Sequence, residues 1–214
     1  MQKFQMKNFL LSSFLLLLLA CARQTVPVES GAQEKISPDI LNAPFSNGYN
    51  SYFFKTQADI YGQYLSGLLL IKPVGDTSYR IVFTTEIGIK LFDFEFQKEK
   101  FIVHYCMDKL NRKPVIKVLE KDFRLLLLPG ISNKTVQVKS EYSHKVYTWK
   151  QDKEYFSYYQ DQDKKIIDTM KILSEKRTPK VQVELQNYQK NFPANIRLVH
   201  DNIKLTIELK YLER

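Results

Sequence analysis

Histidine and cysteine side chains are the first candidates for chemistry in this sequence. His104 and Cys106 lie two residues apart, so on a β-strand they would share one face and could begin a Cys–His nucleophile pair or half of a metal site. No third ligand follows at a spacing that zinc uses, and no serine is surrounded by the small residues of a nucleophile elbow. We therefore expect a structural pair, and we expect no catalytic residue, no metal and no cofactor.

Two carboxylates form the second candidate. Asp93 and Glu95 alternate with Phe92, Phe94 and Phe96. Paired carboxylates can carry out acid–base catalysis, but successive side chains of a strand point to opposite faces. The alternation predicts an aromatic stripe on a buried face and two carboxylates on the wet face, and it does not favour an enzyme.

Cys21 is the residue whose surroundings indicate the most specific chemistry. Lys3 and Lys7 precede an apolar run, Phe9–Leu19, which is shorter than the roughly 20 residues of a membrane-spanning helix. Leu18-Leu19-Ala20-Cys21 reads as a lipobox. Residues 1–20 are thus predicted to be a lipoprotein signal peptide, after which the Cys21 thiol takes diacylglycerol and its freed amine takes palmitate, anchoring the chain to membrane lipid. The alternative is a plain signal peptide with Cys21 there by accident.

Composition limits the remaining classes. The formal net charge is +9, but acidic and basic residues are interspersed and no Lys/Arg block occurs, so we expect a solvated surface and no nucleic-acid partner. After Cys21, Cys106 is the one cysteine left, so it cannot form an intrachain disulfide and should be buried as a small hydrophobe. The length favours one domain, and we expect a monomer.

Residues 21–48 contain the lipidated cysteine followed by proline and glycine breaks, which predict a flexible tether. Residues 49–214 are predicted to be one domain with about five strands, a helix and about six more strands. The predicted strands begin near Tyr52 and continue as Leu65–Ile71, Tyr79–Thr85, Leu91–Phe96, Phe101–Met107, Lys145–Lys150, Glu154–Tyr159, Ile166–Leu173, Lys180–Tyr188, Asn195–His200 and Asn202–Tyr211.

The predicted helix begins near Pro114 and ends before Pro129-Gly130. Short connections between strands predict a mainly β (α+β) fold: a curled antiparallel meander sheet that forms a half-open β-barrel, covered by one or two helices. The inner face would be a cavity for an apolar ligand. The predicted lining residues are Phe92, Phe94, Phe96, Leu119, Phe123, Leu126 and Leu127.

Two stretches resemble the LolB-like family of outer-membrane lipoprotein receptors. One is Tyr79–Gly88 leading into Leu91–Phe96, and the other is Phe192-Pro193-Ala194-Asn195-Ile196 with the strands after it. The resemblance implies a LolA/LolB-like fold that binds the acyl chains of other lipoproteins and helps to insert them in the outer membrane. It also implies a periplasmic LolA-like carrier as a partner, and a periplasm-facing, lipid-anchored location in the outer membrane of a Gram-negative bacterium.

The same resemblance marks Ile87 and Gly88 as the membrane-insertion loop. The sequence departs from the family at Glu86, where a proline is expected, whereas Ala22 in place of aspartate favours the outer membrane. From the residues alone, Ile87 is either tucked under a neighbouring loop or exposed. The alternative function is a non-catalytic scaffold or assembly lipoprotein of the same fold, whose inner face is filled by its own side chains. An open apolar groove would favour the receptor, and a packed interior the scaffold.

Overall fold

The computed structural model describes residues 32–35, 43–45, 50–75, 78–128 and 135–213. The chain divides into two units, residues 1–30 and 31–214, and every described residue belongs to the second. The predicted signal peptide and lipid-bearing Cys21 therefore lie outside the described residues. Within these residues, no helix has the length and apolar character needed to cross a membrane.

The described residues form 13 strands and one helix. In chain order these are β1 Ala32–Lys35, β2 Tyr52–Ile60, β3 Gln63–Gly75, β4 Ser78–Thr84, β5 Lys90–Gln97, β6 Lys100–Cys106, α1 Lys113–Leu127, β7 Thr135–Glu141, β8 His144–Gln151, β9 Glu154–Asp161, β10 Ile167–Ser174, β11 Pro179–Gln189, β12 Phe192–His200 and β13 Leu205–Tyr211.

All strands belong to one antiparallel sheet with the order β1-β7-β8-β9-β10-β11-β12-β13-β2-β3-β4-β5-β6. Two meanders, β2 to β6 and β7 to β13, are joined where β13 pairs with β2. The sheet is not closed, because β1 and β6 form its two edges. The predicted mainly β antiparallel meander is confirmed, whereas the label α+β does not suit described residues that contain a single helix.

The sheet must curl, because distant strands contact the same helix. Phe92 on β5 packs against Phe123 of α1, with ring centroids 5.9 Å apart, and the Tyr158 hydroxyl on β9 donates a hydrogen bond to the carbonyl of Leu125. Eight strand spacings separate β9 from β5 in the sheet order. At about 4.8 Å per spacing a flat sheet would hold them roughly 38 Å apart, so both reach α1 only when the sheet curves around it.

The helix begins and ends where the sequence indicates. Pro114 lies in the first turn, where its missing N–H costs nothing, and Leu128 ends the helix in the left-handed conformation at φ 52°. The Leu128 N–H donates to the Arg124 carbonyl at 3.2 Å. The buried residues of α1 are Asp122, Phe123, Leu125, Leu126 and Leu127, so the run of leucines that ends the helix is covered on several sides.

Part of the predicted tether is packed into the domain. β1 pairs with β7 in the register Ala32↔Val138 to Lys35↔Thr135. Phe45 is buried against Tyr52 and Phe192, with ring centroids 5.1 and 5.4 Å away. The segment before residue 49 thus adds a strand to one sheet edge and an aromatic ring to the core.

Candidate functional site

The predicted cavity residues are brought together between α1 and the inner face of the sheet. Phe92 and Phe94 stack with ring centroids 4.4 Å apart, and Phe92 contacts Phe123 of the helix. Six of the seven are buried and Leu119 is half-buried against the same core. They are buried within one core between α1 and β5, so an apolar ligand that reached the stripe of Phe92, Phe94 and Phe96 would have to displace α1 from it.

A buried polar pair attaches α1 to the sheet within this apolar core. Nε2 of His200 on β12 lies 3.1 Å from Oδ2 of Asp122. The other carboxylate oxygen, Oδ1, has no hydrogen-bond partner among the described residues. Burial raises the pKa of Asp122, while the hydrogen bond from His200 acts in the opposite direction.

A second attachment lies beside the first. Lys121 Nζ of α1 and Lys180 Nζ of β11 lie 2.6 and 2.7 Å from the two carboxylate oxygens of Glu154 on β9. Burial alone would raise the pKa of Glu154, but the hydrogen bonds from both ammonium groups outweigh it and lower the pKa. With the Tyr158–Leu125 hydrogen bond, three polar contacts therefore hold the helix against strands of the second meander.

The Ile87 loop lies between β4 and β5, away from this core. The Gly88 N–H donates to the Thr85 carbonyl at 3.0 Å, and the Ile89 N–H donates to Thr85 Oγ1 at 3.0 Å. Gly88 has φ +87°, a conformation that side chains with a Cβ rarely adopt. The turn leaves Ile87 84% exposed. Of the two arrangements that the sequence left open for Ile87, the exposed one is found.

His104 and Cys106 do not share a face, which corrects the sequence prediction. Asp93 pairs with Tyr105 and the next residue, Phe94, pairs with Val103, so a bulge leaves His104 without a cross-strand partner. The His104 ring nitrogen lies 2.7 Å from Glu95 Oε2, whereas Cys106 is buried opposite Phe92. The expected interior position of Cys106 is confirmed, and burial raises the pKa of its thiol.

The Asp93 and Glu95 carboxylates belong to an ionic cluster, and the prediction that both lie on a wet face is wrong for Asp93, whose side chain is covered. Arg80 donates from Nε to Asp93 at 2.5 Å and from a terminal nitrogen to Glu95 at 2.8 Å. Asp93 is buried, with Lys90 Nζ at 3.1 Å. Burial alone would raise the pKa of Asp93, but the hydrogen bonds from Arg80 and Lys90 lower it overall. Within the described residues, no three His, Cys, Asp or Glu side chains are grouped as a metal site.

Comparison with known proteins identifies the fold. No family model matches the chain, and no curated protein matches it in sequence. Two solved structures are similar in fold: a LolA superfamily protein from Nitrosomonas europaea (TM-score 0.51, 9% identity, 82% of this chain and 90% of that one) and a DUF1329 family protein from Desulfovibrio piger (TM-score 0.50, 8% identity, 82% and 89%).

The class that these findings define is the LolA-like fold, an unclosed antiparallel sheet with a helix on its inner face. At 8–9% identity the likeness extends to the fold alone. The closer resemblance to LolB-like receptors therefore stays a prediction.

Sequence reasoning missed the polar residues that hold α1. Asp122 directly precedes Phe123 on the buried side of the helix. A carboxylate among apolar residues of a helix could have indicated a buried polar contact. Glu154 and His200 gave no comparable signal, because each lies at a strand terminus where polar residues are common.

Proposed function

We propose that this protein is a lipid-anchored envelope lipoprotein that binds acyl chains of other lipoproteins between α1 and the sheet, and assists their insertion in the outer membrane. The observation that carries the proposal is the contact between α1 and the phenylalanine stripe, an apolar interface inside a LolA-like fold. Cys21 supplies the anchor, and a periplasmic LolA-like carrier is the partner that delivers the acyl chains.

Exchange of apolar surfaces makes such binding reversible. When α1 leaves the stripe, Phe92, Phe94 and Leu126 lose their contacts, and an acyl chain that takes the same place restores apolar burial at about 0.8 kcal/mol per CH₂. The apolar burial lost by α1 and the apolar burial gained by the acyl chain are of the same kind. The net free energy of binding is therefore a small difference between these two terms. The helix then acts as an internal competitor that expels the ligand when it returns.

Ile87 has the second role in this proposal. Its side chain is exposed at the tip of the β4–β5 loop, where it can enter the lipid surface or meet an arriving acyl chain. The loop is anchored by hydrogen bonds from the Gly88 and Ile89 N–H groups to the carbonyl and the hydroxyl of Thr85, so it presents Ile87 at a fixed position relative to β5.

The scaffold alternative is favoured by a different observation. Phe94 and Phe96 are fully buried by the protein's own side chains, as expected of an inner face that is already filled. In that case α1 is a permanent part of the core, and the protein assembles with partners through its outer surfaces.

A photoreactive palmitoylated lipopeptide separates the two functions. The full chain with Cys21→Ser is irradiated with the lipopeptide, and the cross-linked residues are mapped by mass spectrometry. We expect labels on β5 and α1 that disappear with excess unlabelled lipopeptide. Absence of competed labelling on these two elements would refute acyl-chain binding and leave the scaffold.

A further inference from the structure

The outer face of the sheet, opposite the hydrophobic core, has a polar cleft that acyl binding does not use. Two adjoining depressions of about 460 Å³ and 590 Å³ lie across β11, β12, β13, β2 and β3. They share Gln57, Arg197 and Glu208. The neighbouring positions Ile196 and Leu209 point inward into the core, which places the shared side chains on the opposite face.

Strand register arranges the cleft side chains in rows. One row runs from Gln186 through Asn195 and Lys210 to Lys55, since each is the cross-strand partner of the next. The row spans four strands, about 14 Å at a strand spacing of about 4.8 Å. This length suits a chain of several sugar rings better than a single small anion.

A parallel row lies two residues along each strand. It runs from Arg197 through Glu208 and Gln57 to Ser66. Arg197 Nε lies 3.6 Å from Glu208 Oε1. The two rows together present amide, hydroxyl, carboxylate and cationic groups on one surface.

The cleft has the chemistry that a carbohydrate needs. Sugar hydroxyls donate and accept at once, and the amides of Gln57, Gln186 and Asn195 do the same. The ring of Tyr64, 85% exposed beside the second depression, offers a flat apolar face on which a pyranose ring can stack. These features together distinguish the cleft from an ordinary charged surface.

The other end of the cleft is cationic. Lys55, Lys210 and Arg197 line the first depression with Glu208 as the one acidic residue among its lining residues. Lys55 and Lys210 are direct cross-strand partners, so their side chains leave the sheet next to each other, and Lys55 Nζ also lies 4.0 Å from Glu86 Oε1 at the surface. Like charges in that position repel, and an anionic group bound between them relieves the repulsion.

We propose that this cleft binds an oligosaccharide that carries carboxylate or phosphate groups, with Tyr64 stacking on a ring and Lys55 and Lys210 holding the anion. The site does not rest on the proposed acyl binding, because it lies on the other face of the sheet. Envelope glycans supply both anions: peptidoglycan strands carry carboxylates, and lipopolysaccharide sugars carry phosphates.

Calorimetric titration of the full chain with Cys21→Ser tests the proposal with three probes: peptide-free peptidoglycan glycan chains, deacylated lipopolysaccharide and neutral chitohexaose. We expect one of the anionic probes to bind more tightly than chitohexaose, and the identity of that probe decides between carboxylate and phosphate. Equal binding of all three probes, or binding of none, would overturn the proposal.

Variants test whether the binding measured by calorimetry takes place in the cleft. Lys210→Glu should weaken binding by roughly tenfold or more, as expected for loss of one charge-assisted contact, and Tyr64→Ala should weaken it independently of salt. Lys176→Glu and Tyr142→Ala make the same changes at exposed positions in turns outside the cleft and should bind like the parent. Unchanged binding by both cleft variants, with unchanged thermal midpoints, would place the ligand elsewhere and refute the site.

Discussion

Asp122 of α1 and His200 of β12 meet with Oδ2 and Nε2 3.1 Å apart, and each side chain is 3% exposed. Seventy-eight residues separate them in the chain, so their contact exists only when the helix lies on the sheet. A buried pair of this kind contributes little net stability, because desolvation offsets the attraction, but removal of one partner leaves the other uncompensated.

Truncation of both partners should therefore cost less than the sum of the two single truncations. We expect Asp122→Ala to lower the free energy of unfolding by roughly 3–5 kcal/mol, and the double variant with His200→Ala to lower it by less than the sum of the single variants. Urea unfolding of the four proteins gives the coupling. Additive effects would mean that the pair does not connect α1 to the sheet.

Glu154 should make the free energy of unfolding depend on pH in the acid range. Its pKa is lowered in the folded state, so its contribution is fully present above its unfolded pKa of about 4.3 and is lost as the pH falls through the lower folded value. Glu154→Gln should flatten the fall in unfolding free energy below pH 4.5 or so. Glu175→Gln, at an exposed position paired with Lys150, is the matched control and should keep the parental slope. Equal slopes for the two variants would contradict the role of Lys121 and Lys180.

The phenylalanine stripe should not tolerate charge. Phe94 is fully buried, so Phe94→Asp loses the roughly 3–5 kcal/mol that truncation of a buried phenylalanine costs and in addition buries a carboxylate. We expect a lower thermal midpoint or no folding. Leu68→Asp is the control on the outer face, exposed and opposite Lys55, and should change the midpoint little. A folded Phe94→Asp protein with normal binding of a fluorescent fatty acid would show that the stripe is not the binding face.

Ile87 should matter for transfer and not for stability. Because the side chain is exposed, Ile87→Glu should change the unfolding free energy by no more than about 0.5 kcal/mol. We expect it to abolish transfer of a lipoprotein to liposomes, measured by flotation. Tyr142→Glu, at an exposed hairpin residue, should transfer normally. Normal transfer by Ile87→Glu would remove this residue from the mechanism.

Cys21 should determine membrane attachment. The Cys21→Ser protein has no thiol at position 21 to accept diacylglycerol, so we expect it in the soluble periplasmic fraction, and we expect the parent chain to fractionate with the outer membrane. Metabolic labelling with palmitate gives a second readout and should fail for Cys21→Ser. Retention of the variant in membranes at high salt would reveal an attachment other than the acyl anchor.

Local alternation predicted most of the strands, because one face of each strand is buried and the other is wet. The same rule failed at the bulge near His104, where one extra residue reverses the faces of the strand. β13 begins at Leu205 and not at Asn202, since residues 201–204 form the connection. β1 and β7 were missed: β1 is only four residues long, and its pairing depends on a partner 100 residues further along the chain.

For the candidate site, hydrophobic spacing predicted the helix and the stripe but not what holds them together. Asp122, Glu154 and His200 come from three separate elements, and their proximity depends on a sheet order that joins β13 to β2. The outer cleft was missed for the same reason. Gln186 and Lys55 belong to one row only because four strands lie side by side in the correct register.

The position of α1 in the chain also constrains how the protein can open. The helix follows β6 at one edge of the sheet and precedes β7, which lies next to the other edge. Its 15 residues, about 22 Å long, lie inside the curve of the sheet and contact strands of both meanders, at Phe92 and at Tyr158. A sheet that flattens would separate β5 from β9, so α1 could not keep both contacts. We therefore expect that any partner that changes the curvature of the sheet also changes how closely α1 covers the inner face.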